Sequence, residues 1–191
     1  MILLIDLCCR EGSLGFDEYV MPVERIVEQS GFETSSIHYR SVSSADFQGA
    51  EAAILCGTPL ADNAFLENPG AFSWVEKPGV PVLGICAGME MIGKTFGGVL
   101  GPCTEIGMTG IRVTGTDPFF SESLSFSAYE LHTIACREPG PLKVLAVSDR
   151  CIQVIRHPVR PVYGLMFHPE VRNEWAVERF LSLTRNDSIS R

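Results

Sequence analysis

Residues 81–98 read P-V-L-G-I-C-A-G-M-E-M-I-G-K-T-F-G-G, and this stretch decides the fold. It begins as an apolar strand, turns between Gly84 and Gly88, and continues with helical spacing to a pair of glycines that predicts the helix end. Glycines on both sides of Cys86 permit a sharp strand-to-helix turn, which is the geometry that presents a nucleophile. The following helix N-terminus favours the thiolate. A buried packing cysteine is the alternative, because cysteine is among the most buried residue types.

The segments on either side predict strands that alternate with helices. Strands are predicted at residues 2–7, 34–39, 52–56 and 81–85, with helices at 16–30 and 87–96 and a partly helical region at 64–75. Later strands are predicted at 111–114, 125–131, 142–147, 152–155 and 162–167, before a closing helix at about 173–183. The pattern predicts an α/β fold with an open, mostly parallel sheet, helices on both faces and additional C-terminal strands. No repeat or linker interrupts it, so we expect a single domain over residues 1–191.

Composition excludes several classes of function. The chain has 191 residues, of which 46% are hydrophobic, and this is enough for a substantial core. Its net charge is -8, and the basic residues are scattered, so it lacks the basic stripe that a nucleic-acid backbone requires. The apolar run at residues 2–7 has no basic flank and contains Asp6, so we interpret it as a buried strand and expect no membrane association.

The cysteine pattern indicates a reducing compartment. Seven cysteines are an odd number, and none forms a C-x-x-C pair, so neither a disulfide framework nor a metal site is predicted. We therefore expect reduced thiols in the cytoplasm. Apart from Cys86, the cysteines are predicted to be packing residues, at positions 8, 9, 56, 103, 136 and 151.

A histidine and an acid near the C-terminus complete a possible catalytic group. A predicted strand leads into H-P-E at residues 168–170. If the chain stays extended, the side chains of His168 and Glu170 point to the same side, so Glu170 would orient the imidazole while the ring faces the thiol. Alone this signal is weak, because a second His-Pro pair begins at His157. Together with the cysteine turn about 80 residues earlier, it predicts the Cys-His-acid arrangement of acyl-transfer enzymes.

A further glycine follows the strand predicted at residues 52–56. Gly57 begins the sequence G-T-P, and a glycine there lets a backbone N–H approach a substrate carbonyl. The N–H of Ala87 would supply the second donor of an oxyanion hole. An ordinary turn after a strand is the alternative, and the residues in isolation favour it.

Taken together, these segments resemble the landmarks of a class I glutamine amidotransferase domain, the triad family. The landmarks occur in the family's order across nearly the whole chain: I-L-L-I-D at 2–6, L-C-G-T-P at 55–59, G-I-C-A-G-M at 84–89, G-G at 97–98 and G-L-M-F-H-P-E-V at 164–171. The nearest resemblance within the family is to the separate glutaminase subunit of GMP synthetase, through V-S-D-R-C-I-Q at 147–153 and the C-terminal landmark.

The resemblance implies a flavodoxin-like fold and a glutaminase activity. It implies a catalytic triad of Cys86, His168 and Glu170, and an oxyanion hole formed by the backbone N–H groups of Gly57 and Ala87. Neither a metal nor an organic cofactor is implied. The substrate would be glutamine or a γ-glutamyl compound, and the ammonia would pass to a partner synthetase.

Substrate contacts are expected at Thr58, Glu90 and His132, and the chain departs from the family pattern at Glu90 and around His132. Relatives usually carry Gln where this chain has Glu90, and His132 lies in L-H-T-I where the GMP synthetase subunits tend to show S-H-x-D. An eleven-residue insert, C-C-R-E-G-S-L-G-F-D-E at 8–18, also replaces the short turn expected after the first strand.

Three hypotheses remain open on the sequence. The first is a glutaminase of amidotransferase type that supplies a synthetase. The second is a stand-alone γ-glutamyl hydrolase, because a carboxylate at Glu90 could repel the α-carboxylate of glutamine and favour an amine-bearing substrate. The third is a non-catalytic flavodoxin-like binding module, and the H-P-E at residues 168–170 argues against it.

Overall fold

The computed structural model describes residues 1–77, 79–120 and 125–189. Within these residues the chain forms one mixed sheet of nine strands. The strands are β1 (Ile2–Asp6), β2 (Thr34–His38), β3 (Ala52–Leu55), β4 (Val82–Ile85), β5 (Val99–Val113), β6 (Ser125–Glu138), β7 (Lys143–Val147), β8 (Ile152–Arg156) and β9 (Val162–Leu165). Their spatial order is β2-β1-β3-β4-β9-β8-β7-β5-β6.

One half of this sheet is parallel and the other half is antiparallel. Strands β2, β1, β3, β4 and β9 run parallel to one another, whereas the neighbouring pairs from β9 to β6 are antiparallel. Every residue of β1, β3, β4 and β9 is buried, as expected for parallel strands that are covered on both faces. The predicted open α/β sheet with additional C-terminal strands is confirmed.

The α-helices cover the sheet in two groups. They are α1 (Met21–Gln29), α2 (Ala87–Thr95), α3 (Pro169–Arg172) and α4 (Trp175–Ile189). Helix α1 packs against α3 and α4, whereas α2 packs against β4, β9 and the 3₁₀ segment Pro69–Glu76. No helix in the described part of the chain is long and apolar enough to cross a bilayer.

The β5–β6 hairpin is much longer than the sequence predicts. Strands were expected only at residues 111–114 and 125–131, but β5 extends over Val99–Val113 and β6 over Ser125–Glu138. Three glycines and a proline inside β5 hide its alternating pattern, and Gly107 has a φ of 98° that only glycine adopts readily. Register shifts at Val99/Leu100 and Pro102/Glu105 lie on either side of Gly101 and Pro102 and interrupt the alternation further.

Other predicted boundaries differ by a few residues. The helix expected at 16–30 is a π-helical turn, Phe16–Val20, followed by α1, whose second residue is Pro22. A proline is tolerated there because the first N–H groups of a helix have no intrahelical acceptor. The expected region at 64–75 consists of 3₁₀ segments at Ala64–Glu67 and Pro69–Glu76.

Candidate active site

The turn between β4 and α2 holds Cys86 in a strained conformation. Cys86 has φ 48° and ψ -104°, and it is the one non-glycine residue with positive φ in the described chain. Both flanking glycines are required for close packing: a Cβ on Gly84 would lie 2.4 Å from the carbonyl carbon of Gly88, and one on Gly88 would lie 2.3 Å from the carbonyl oxygen of Leu55. This is the sharp strand-to-helix turn that the sequence predicts, and such strain is typical of functional positions.

The thiol of Cys86 is almost completely enclosed. The residue is 4% exposed, and Sγ lies 3.8 Å from the backbone carbonyl oxygen of Leu131 in β6. Burial raises the pKa of the Cys86 thiol above its ordinary value, although the neighbouring His168 acts to lower it. The sequence favoured a lowered pKa from the helix N-terminus, and that expectation is wrong because desolvation outweighs the favourable charges.

His168 lies at the carboxyl end of β9, next to the thiol. Its Nδ1 is 2.7 Å from Oε1 of Glu170, and its backbone N–H donates to the carbonyl oxygen of Tyr129 at 2.9 Å. Burial alone would lower the pKa of His168, but Cys86 and Glu170 outweigh it and raise the pKa well above its ordinary value. The geometry therefore favours transfer of the Cys86 proton to the ring, which gives an imidazolium paired with the thiolate.

The pairing of His168 with Glu170 does not depend on an extended chain. We expected extended backbone through residues 168–170, but α3 begins at Pro169 and only His168, at φ -97° and ψ 92°, is extended. The carboxylate reaches Nδ1 from the first turn of the helix instead. The contact is the expected one, and the backbone that produces it differs.

Two neighbours fix the plane of the imidazole ring. Tyr19 makes an edge contact with the ring of His168 at a centroid distance of 5.6 Å. Gly57 lies directly against the ring, since a Cβ at this position would come within 2.8 Å of its Cε1 atom. Tyr19 and the backbone of Tyr129 were not predicted, because neither belongs to a local motif.

A narrow cleft brings together most of the other predicted residues. Its lining includes Cys86, Ala87, Glu90, Thr58 and His132. The free volume is about 10 Å³, little more than one water molecule occupies, so a substrate requires movement of the walls. Cavities of about 450 and 510 Å³ lie elsewhere in the described chain, but neither is lined by Cys86 or His168.

The three expected substrate contacts differ in what they offer the cleft. The hydroxyl of Thr58 donates to the carbonyl oxygen of Asp62 at 3.0 Å, so this hydrogen bond lies within the loop that contains Thr58. His132 is 3% exposed, and its Nε2 is directed at Glu105 and Glu130 rather than into open space. Glu90 is 4% exposed, and burial raises its pKa to about 8.

The raised pKa of Glu90 changes how this position is interpreted. The sequence suggested a carboxylate that repels the α-carboxylate of glutamine or attracts an amine. With a pKa of about 8, the group is mostly protonated at pH 7. A protonated carboxyl carries no charge and can donate a hydrogen bond, as the amide of the usual Gln does. Near neutral pH the expected repulsion is therefore absent.

The other cysteines only partly fit the prediction that they are packing residues. Cys8, Cys56 and Cys136 are buried, but Cys9 is exposed. Cys151 is buried beside polar groups, with its Sγ 3.1 Å from Oε2 of Glu105. All seven thiols are unpaired.

The fold and this site define a class of protein, and comparison with known families agrees. The family described as glutamine amidotransferase class-I matches residues 16–183, and the chain belongs to this family.

Two crystal structures share the fold. A protein from Thermoplasma acidophilum, described as a candidate A subunit of GMP synthase, has a TM-score of 0.83 at 22% identity, covering 98% of this chain and 96% of that one. A glutamine amidotransferase from Thermotoga maritima has a TM-score of 0.70 at 17% identity, covering 100% and 84%.

Among curated proteins, the chain is similar to glutamine-hydrolysing GMP synthases. The A subunit of the GMP synthase of Pyrococcus abyssi is 31% identical over 165 residues, which are 81% of this chain and 85% of that relative. GMP synthase of Syntrophomonas wolfei is 33% identical over 129 residues, which are 64% of this chain but 25% of that longer protein. The expected resemblance to the separate glutaminase subunit is confirmed.

Proposed function

We propose that this chain is a glutaminase of amidotransferase type, forming a single domain, in which Cys86, His168 and Glu170 act as a catalytic triad. The observation that carries the proposal is the arrangement around one sulfur: a cysteine in a strained turn faces a histidine whose Nδ1 lies 2.7 Å from a carboxylate. The family membership supplies the reaction class, and the site supplies the residues for it.

In the first half of the reaction, proton transfer from Cys86 to His168 produces the attacking thiolate. The sulfur attacks the side-chain amide carbonyl of glutamine and forms a tetrahedral oxyanion. When the C–N bond breaks, the imidazolium gives its proton to the departing nitrogen, so ammonia leaves and a thioester remains on Cys86. Glu170 keeps the hydrogen on Nδ1 and stabilises the imidazolium charge.

The oxyanion would lie between two backbone donors. Ala87 is the first residue of α2, and the first N–H groups of a helix have no intrahelical acceptor. Gly57 follows β3 and lies against the imidazole of His168. In the second half of the reaction, His168 removes a proton from water, the hydroxide attacks the thioester, and the C–S bond breaks to release glutamate and the thiol.

The ammonia acceptor would be a synthetase partner, by analogy with the GMP synthase relatives. A closed cleft with a free volume of about 10 Å³ fits an enzyme whose glutaminase site opens when substrate and partner are engaged. Seven unpaired thiols fit a cytoplasmic location. The proposed chemistry uses only side-chain and backbone groups of the chain, and it calls for neither nucleic acid nor a membrane.

A stand-alone γ-glutamyl hydrolase is the second candidate, and Glu90 is the observation behind it. An ionised Glu90 at the cleft would attract an amine-bearing leaving group. Protonation of this residue near pH 7 favours glutamine instead, because a neutral group accepts an amide substrate without charge repulsion. The third hypothesis, a non-catalytic binding module, leaves the strained cysteine and its paired histidine without a role.

The test measures ammonia and glutamate release from glutamine and from a γ-glutamyl amine. The chain is assayed alone and with the ATP-dependent synthetase encoded nearest to its gene, with Cys86→Ser as the matched control. We expect hydrolysis of glutamine, stimulated by the synthetase and absent in the variant. Preferential turnover of the γ-glutamyl amine would favour the hydrolase, and turnover of neither substrate would overturn both enzymatic candidates.

A further inference from the structure

A second group of reactive side chains lies behind the nucleophile, in the wall formed by the long hairpin. It consists of Cys103 and Glu105 on β5, Glu130 and His132 on β6, and Cys151 just before β8. We call these five residues the hairpin cluster. All are buried, with exposures from 0% for Glu130 to 9% for Cys151. The proposed glutaminase mechanism gives this cluster no catalytic task.

Strand geometry brings these side chains to one face. Residues two apart on a strand point to the same side, which applies to Cys103 with Glu105 and to Glu130 with His132. Glu105 and His132 are direct cross-strand partners, next to a register shift between Pro102 and Glu105. The cluster is thus part of the backbone pairing of the hairpin.

The donor atoms of the cluster form two triads that share Glu105, with contacts close to those of a metal site. Nε2 of His132 lies 3.4 Å from Oε2 of Glu105 and 3.3 Å from Oε2 of Glu130, and Sγ of Cys151 lies 3.1 Å from Oε2 of Glu105. Tetrahedral Zn²⁺ with bonds of about 2.0–2.3 Å places its ligand atoms roughly 3.3–3.7 Å apart. The donor atoms of Cys103, Glu105 and Cys151 all lie within 4.8 Å of one another, as do those of Glu105, Glu130 and His132.

The tautomer of His132 directs its Nε2 atom at the carboxylates of the cluster. Its Nδ1 lies 3.0 Å from the backbone carbonyl oxygen of Cys103, which can only accept a hydrogen bond. The hydrogen of a neutral ring is therefore on Nδ1, and the lone pair of Nε2 points at the carboxylates.

The cluster also has more buried acceptors than donors. Neither carboxylate oxygen of Glu130 receives a well-directed hydrogen bond, although the side chain is wholly buried, and Nε2 of His132 and Oε1 of the adjoining Gln153 are likewise without partners. A neutral His132 leaves the carboxylates of Glu105 and Glu130 without a balancing positive charge within the cluster. A buried group of this kind requires bound protons or a cation.

We propose that the hairpin cluster binds one thiophilic divalent cation of the Zn²⁺ class, with Cys103, Cys151 and Glu105 as ligands and with His132 and Glu130 on the other side of Glu105. Thiolates select Zn²⁺ over Mg²⁺ and Ca²⁺, which prefer oxygen ligands. Cys151 borders a surface hollow of about 320 Å³ that Ser148 and Arg150 also line, so an ion has a short route from solvent.

The cation would stabilise the hairpin rather than take part in the glutaminase reaction. It would join β5 to the start of β8 and would hold β6 through the contact of Glu105 with His132. Residues of β6 also support the proposed catalytic groups, through the carbonyl oxygen of Tyr129 bonded to the N–H of His168 and that of Leu131 beside Sγ of Cys86. A fixed β6 therefore stiffens one wall of the cleft.

The test titrates the reduced, chelator-stripped full-length chain with Co²⁺, whose absorption reports thiolate ligands and tetrahedral geometry. We expect about one Co²⁺ per chain, a thiolate charge-transfer band, and displacement by Zn²⁺. Cys151→Ser and Cys103→Ser should remove the band, whereas Cys9→Ser, at an exposed thiol outside the cluster, should retain it. Zn²⁺ should also raise the Tm of wild type but not of Cys151→Ser.

Failure of wild type to bind Co²⁺ stoichiometrically overturns the proposal without any variant. A band that survives in Cys151→Ser, or that disappears in Cys9→Ser, also overturns it. If a cysteine variant does not fold, as judged by circular dichroism, Glu105→Gln replaces it, and retention of full Co²⁺ affinity in that variant contradicts the ligand assignment. Glutaminase activity enters none of these readouts, so they stand apart from the proposed function.

Discussion

Replacing Glu90 by Gln should change glutamine binding in a way that depends on pH. Glu90 is a buried residue of the cleft with a pKa of about 8, so the neutral form that resembles Gln predominates below that pH. The amide in the variant would be neutral at every pH. We therefore expect wild type and Glu90→Gln to bind glutamine alike at low pH and to diverge as the pH rises through 8.

The size of the divergence follows from the protonated fraction. If only protonated Glu90 accepts glutamine, the apparent dissociation constant of wild type increases in proportion to one over that fraction. With a pKa of about 8, the ratio of the dissociation constant of wild type to that of the variant is about 1.1 at pH 7 and about 11 at pH 9.

Ionisation of the same carboxyl destabilises the fold. Each pH unit between 4.5 and about 8 lowers the free energy of unfolding by about 1.4 kcal/mol.

The sign of the stability effect is definite. The folded-state pKa of Glu90 is raised, so the folded protein binds the proton more tightly than the unfolded chain, and stability falls as the pH rises from 4.5 to about 8. Above pH 8 the loss reaches at most about 5 kcal/mol. Glu90→Gln should therefore raise the free energy of unfolding by a few kcal/mol at pH 8.5 and by little at pH 5.

Calorimetric titration of glutamine at pH 7, 8 and 9 checks the binding ratio. Wild type and Glu90→Gln are compared in a Cys86→Ala background, which removes turnover and the titration of the thiol. Urea unfolding at pH 5 and 8.5 checks stability. A binding ratio that stays constant between pH 7 and 9, or an equal stability gain at both values, would show that Glu90 does not titrate in the cleft and refute the reasoning.

Three further outcomes are expected at the proposed triad. Gly57→Ala places a Cβ 2.8 Å from Cε1 of His168, so it should lower kcat by about 100-fold or more with an unchanged circular dichroism spectrum. His168→Ala should lower kcat by about 100- to 10,000-fold. Glu170→Gln should lower it by less, because an amide still orients the ring. Steady-state kinetics on glutamine would contradict this ranking if Glu170→Gln were the worse variant. A bulky maleimide should label exposed Cys9 rather than buried Cys86, and peptide mapping that shows the opposite would contradict the enclosed site.

The central part of the fold could be predicted because its signals are local. Short, wholly apolar runs predict buried parallel strands, and β1, β3 and β4 lie within two residues of the predicted ranges. The β5–β6 hairpin could not be predicted at its full length, because its pairing includes glycines, a proline and bulges that weaken the alternation of polar and apolar residues. Long-range pairing between two such strands produces little signal in the sequence of either strand.

The proposed site was predictable as far as its motifs extend. The cysteine turn and H-P-E each carry local geometry, so Cys86, His168 and Glu170 could be proposed from sequence. The protonation of Glu90 could not, because it depends on burial by residues distant in the chain. The hairpin cluster was missed for the same reason: its five residues come from three separate segments and form no motif.

The most direct test of the central claim traps the nucleophile. The chain, with and without its candidate synthetase, is incubated with a glutamine analogue that carries an electrophilic carbon at the amide position, and the adduct is located by peptide mass spectrometry. The account predicts one adduct, on Cys86, absent in Cys86→Ser and formed about 100-fold or more slowly in His168→Ala. An adduct on any other cysteine, or none even with the synthetase present, would contradict the assignment of Cys86 as the residue that attacks glutamine.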